Sequence, residues 1–115
     1  MTLRVLLADG DAAFCASVAQ VLAAAPDVAL VATAADADEA VRRYRELTPD
    51  VVVLGDGIAA MERILAADPD ARILAVGGDG YAPAGAYGVL AKDASRLLGL
   101  MLQLVVALAR QHQTN

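Results

Sequence analysis

Thr48–Gly57 reads T-P-D-V-V-V-L-G-D-G. Pro49 and Asp50 stop a helix, because proline disfavours the helical region for the residue before it. Val51 to Leu54 is then apolar without interruption. A half-exposed strand would alternate; a parallel strand buried on both faces does not. Gly55, Asp56 and Gly57 turn the chain at the carboxyl end of that strand. In open α/β sheets this edge is where sites are built.

Upstream of this stretch, the pattern predicts a helix capped by Asp36 or Asp38 and running to Leu47, with Ala40, Val41, Tyr44 and Leu47 inward. Its charge run, Arg42, Arg43, Arg45 and Glu46, reads as a solvated face. Before it come a strand over Val28–Ala34 and a helix from Ala12 to about Ala25 that Asp11 suits as N-cap. Phe14, Val18, Val21, Leu22 and Ala25 make the core face of that helix. A first strand, Leu3–Ala8, ends at Asp9-Gly10-Asp11. Downstream, a short helix is expected over Ala59–Ala67, then a strand over Ile73–Val76. The glycine and proline content of Gly77–Gly88 allows one helical turn at most. Val89–Ala91 is a minimal fifth strand, and a last helix runs to about Gln111.

Strands alternating with helices imply a parallel sheet covered on both faces. The expectation is a flavodoxin-like α/β fold, a five-stranded parallel sheet of order 2-1-3-4-5. Its switch point lies between the first and third strands, which gathers Asp9, Asp11 and Asp56 there.

Composition sets limits on function. The chain has 115 residues, 58% hydrophobic and 20% charged, enough for one domain with an aliphatic core. Aromatic residues are 3%, too few for a base-stacking platform. The net charge is -5 and no dense basic stripe is present, which argues against direct DNA binding. The single cysteine, Cys15, excludes an internal disulfide and reads as a small buried hydrophobe on its helix. No apolar run reaches membrane-spanning length and no leader is evident, so a cytoplasmic location is expected.

Four stretches carry a resemblance: R-V-L-L-A-D at Arg4–Asp9, P-D-V-V-V-L at Pro49–Leu54, D-P-D-A-R-I-L at Asp68–Leu74, and A-G-A-Y-G-V-L-A-K-D-A-S at Ala84–Ser95. Together they resemble the receiver domain of two-component response regulators over the whole chain. The Lys-Asp-Ala-Ser ending is most similar to regulators with a LuxR-type helix-turn-helix. That resemblance implies phosphoryl transfer to an aspartate after the third strand, assisted by Mg²⁺ on an acidic pair, a Thr or Ser, and a Lys. Carried over by position, Asp9 matches the first acid and Lys92 the lysine, but the second acid is Gly10. The acceptor position holds Gly55, with Asp56 one place later. Gly77 stands at the Thr/Ser position and Val89 at the usual aromatic switch. The third helix is short by the same comparison, and the fourth is largely missing.

The implied function is a phosphorylation-independent pseudo-receiver, the dimerisation and signal-input module of a bacterial transcriptional regulator, with no enzyme activity and no cofactor. Two alternatives stand beside it. One is a receiver phosphorylated on the displaced Asp56; the other is a small-molecule sensor with its ligand over the glycine loops. Asp9, Asp11 and Asp56 are weak candidates for a divalent cation; the plainer reading makes Asp11 a helix cap and pairs Asp9 with Lys92. In the last helix the strongly polar residues Arg96, Gln103 and Arg110 form one narrow stripe. A helix packed on a sheet should be polar over about half its surface. This one therefore suits a homodimer through Leu98, Met101, Leu102, Val105 and Val106. DNA would be reached only through a separate domain, expected after Asn115 in a longer protein.

Overall fold

The computed structural model describes residues 2–24, 28–55, 58–77, 88–91, 103 and 107. Its elements are β1 (Leu3–Ala8), α1 (Ala12–Ala23), β2 (Val28–Ala34), α2 (Ala37–Leu47), β3 (Val51–Gly55), α3 (Met61–Ala67), β4 (Ile73–Gly77) and β5 (Gly88–Ala91). The five strands form one parallel sheet in the order β2-β1-β3-β4-β5. The strands begin and end within a residue of their expected limits. α1 stops two residues early at Ala23, and α3 starts two residues late at Met61.

Side-chain alternation splits the central strands between two cores. Leu3, Val5 and Leu7 of β1, Val51 and Val53 of β3, and Leu74 and Val76 of β4 pack with Val18 and Leu22 of α1. Leu6, Ala8, Val52, Leu54, Ile73 and Ala75 point the other way, onto Ala40, Val41 and Tyr44 of α2 and Met61 and Ile64 of α3. That double burial is why β3 and β4, and β1 from Val5 onward, read as unbroken apolar runs. β2 is an edge strand and only half buried along most of its length. Val31 is an extra residue in its pairing with β1, since Val5 pairs Leu30 while Leu6 pairs Ala32. Of the expected inward residues, Phe14, Val21 and Leu47 are only half buried, at the edges of their helices' buried stripes.

The helix limits follow local chemistry. Asp11 caps α1 by accepting from Phe14 N at 3.1 Å. Asp36, rather than Asp38, caps α2, accepting from Glu39 N at 2.8 Å, while the Glu39 carboxylate reaches back to Ala35 N at 2.8 Å. α2 ends on Thr48 in the left-handed region (φ 42), and Pro49 follows. Asp50 then ties the start of β3 to β1, accepting from Arg4 N at 2.8 Å and donating its own N–H to the Arg4 carbonyl at 2.8 Å. Two contacts join α2 to the α3 segment: Arg63 Nη1 with Asp38 at 2.7 Å, and the Tyr44 hydroxyl donating to Asp68 at 2.6 Å.

The segment expected to lack a full fourth helix and the body of the expected last helix lie outside the described residues. Gln103 and Ala107 alone are described there, both helical and exposed. Among the described residues, no helix is long and apolar enough to cross a membrane.

The buried Tyr44 bond gives a direct test of the α2–α3 junction. Tyr44→Phe removes a hydrogen bond to a carboxylate and is expected to cost about 1–2 kcal/mol, read as a lower urea midpoint. Burial first, and then the Asp68 carboxylate, hold the Tyr44 phenol well above its ordinary range. The folded state thus binds this proton more tightly than the unfolded chain. Stability is unaffected below the ordinary phenol pKa of about 10 and falls as pH rises above it. In Tyr44→Phe that share of the alkaline loss is absent.

Candidate functional site

Register places the site. β1 and β3 pair from Val5↔Val51 to Ala8↔Leu54, so Asp9 and Gly55 are the next residues along neighbouring strands. Both fall on the face of Leu7 and Val53, the face that α1 covers. The Asp9 carboxylate lies directly against Gly55. A Cβ built on Gly55 would stand 2.7 Å from Asp9 Cγ and nearer still to Oδ2. No real Cβ tolerates that approach, so the present arrangement exists only because position 55 has no side chain.

Asp9 is 7% exposed, and burying a carboxylate costs free energy unless hydrogen bonds replace its water. Oδ1 accepts from the Asp11 N–H at 2.8 Å, a short charge-assisted bond. The Asp9 backbone is fixed as well: its N–H donates to the Ala34 carbonyl at 3.0 Å, and its carbonyl accepts from Cys15 Sγ at 3.4 Å. The negative charge also sits at the amino end of α1, where the helix dipole favours it.

The other site positions divide cleanly. Gly10 has open space: a Cβ there meets only the Ala35 carbonyl oxygen, at 3.7 Å. Glycine at 10 is therefore not demanded by packing, unlike glycine at 55. Asp11 is exposed, and its carboxylate is spent on the α1 cap. Gly77 ends β4, buried, and pairs with Ala91. Val89 lies on β5 and pairs with Ala75 along the backbone. Asp56 and Lys92 lie outside the described residues, as do Leu98, Met101, Leu102, Val105 and Val106. Cys15 departs from its expected role: it is half buried at the rim of the α1 core, and its thiol bonds the Asp9 carbonyl. A helix start at a sheet edge leaves one side open, and Cys15 stands one turn into α1.

Among the described residues, Asp9, Gly10 and Asp11 are not arranged to hold a divalent cation. A hard cation needs several oxygens converging on one point. Asp9 turns one oxygen to the Asp11 amide and the other onto Gly55, Asp11 faces its own helix, and Gly10 supplies no carboxylate. Among the described residues, no three His, Cys, Asp or Glu side chains are grouped to hold a metal.

On the far side of Asp9, a cleft opens between α1 and α2 over the ends of β1 and β2, reaching Glu39 and Arg43. The charge run had placed Arg43 on the solvated face, and its ion pair with Glu46 at 3.6 Å belongs there. Its Nε, however, is buried without a hydrogen-bond partner. The signal in the sequence was spacing: Glu39 and Arg43, four apart, flank the buried Ala40 and Tyr44.

No protein-family model matches the chain. The chemotaxis protein CheY of Listeria monocytogenes is 35% identical over 78 residues, which are 63% of this chain and 65% of the length of that relative. A two-component response regulator of the LuxR family from Aurantimonas sp. is 30% identical, with a TM-score of 0.76 over 93% of this chain and 87% of that one. The response regulator domain of Thermotoga maritima CheB shares the fold, with a TM-score of 0.83, 24% identity, and coverage of 93% and 96%.

The contact at Gly55 is testable by a mutant cycle. Gly55→Ala must expel the Asp9 carboxylate from its place and is expected to cost about 1–3 kcal/mol. Adding Asp9→Ala relieves the clash, so the double variant is more stable than the two single losses added together. Gly10→Ala, with room for its Cβ, stays within about 0.5 kcal/mol of wild type. Chemical denaturation of the four variants reads all of this.

Proposed function

The chain belongs to the receiver-domain family of two-component response regulators, and from that premise we propose that it works as a phosphorylation-independent pseudo-receiver. It serves as the signal-input and dimerisation module of a bacterial transcriptional regulator, and no enzymatic reaction is assigned to it. The observation that carries this reading is the Asp9 carboxylate seated against Gly55. Phosphorylation of a receiver needs a nucleophilic carboxylate after β3, a cation to offset phosphoryl charge, and donors for the remaining oxygens. Position 55 offers no nucleophile. The one retained acid of the metal pair is turned into the space the nucleophile would need. Gly77 supplies no hydroxyl.

Two further observations support the rest of the reading. The likeness to a LuxR-family regulator, together with Lys92-Asp93-Ala94-Ser95, favours a role in transcription. With a net charge of -5, contact with DNA is left to a separate domain. The dimer rests on the apolar surface of the last helix, whose Gln103 is exposed as its polar stripe requires. Leu98, Met101, Leu102, Val105 and Val106 form the proposed contact.

Intact mass after incubation with Mg²⁺ and a small acyl-phosphate donor tests the central point. The expected result is no phosphate adduct. An adduct that disappears in Asp56→Ala overturns the reading and moves the acceptor one residue along. Light scattering at micromolar concentration tests the dimer: wild type is expected at twice the monomer mass, and Leu102→Glu or Val106→Glu at the monomer mass. A monomeric wild type contradicts it.

A further inference from the structure

We draw no further inference here: the strongest candidate, the cleft between α1 and α2 beside Asp9, is lined by carboxylates already bonded within the chain, Asp9 to the Asp11 N–H and Glu39 to the Ala35 N–H and Arg42, and nothing in the structure shows what would fill it.

Discussion

The contact between the Asp9 carboxylate and the bare Cα of Gly55 governs the chemistry of this domain. Parallel pairing of β1 and β3 makes the two positions neighbours, and strand alternation puts them on one face. With a carboxylate at both positions, two like charges would stand within a few ångströms, and a cation would be needed to offset their repulsion. With glycine at 55, the surviving carboxylate folds inward and takes the Asp11 amide as its partner. The Asp9 carboxylate thus lies in the space that a side chain at position 55 would take.

The fold is indifferent to that change. Its stability resides in two aliphatic cores on either side of the sheet, built from β1, β3 and β4 and their covering helices. Of the altered positions, Gly10, Gly55 and Gly77 contribute no side chain to either core. Architecture and chemistry are separable here because the chemistry sits at the carboxyl edge, past the last packed residues.

Most of the fold was legible in the sequence. Uninterrupted runs such as Val51–Leu54 announce strands buried on both sides, and Asp11, Asp36 and Pro49 mark helix ends by local chemistry alone. Glycine at 55, where the receiver resemblance expects an aspartate, is read from the sequence directly. Three things were not legible. The inward turn of Asp9 depends on a rotamer chosen by a neighbouring strand, and no local pattern encodes it. Cys15 sits on the core side of α1 by periodicity, yet at the open end of the helix, so helical position overstated its burial. Arg43 belongs to a charge run that is otherwise solvated, and only tertiary packing separates its buried Nε from the exposed Arg42 and Arg45.

The most direct measurement of the central claim is a Mg²⁺ titration followed on the carboxyl ¹³C resonances of Asp9 and Asp11. A carboxylate turned onto the Asp11 amide and Gly55 does not converge with the Asp11 carboxylate on one point. Both resonances are then predicted to stay in place through the millimolar range. A saturable millimolar shift of Asp9 would mean that its carboxylate turns outward to a metal, and would contradict the proposed loss of receiver chemistry.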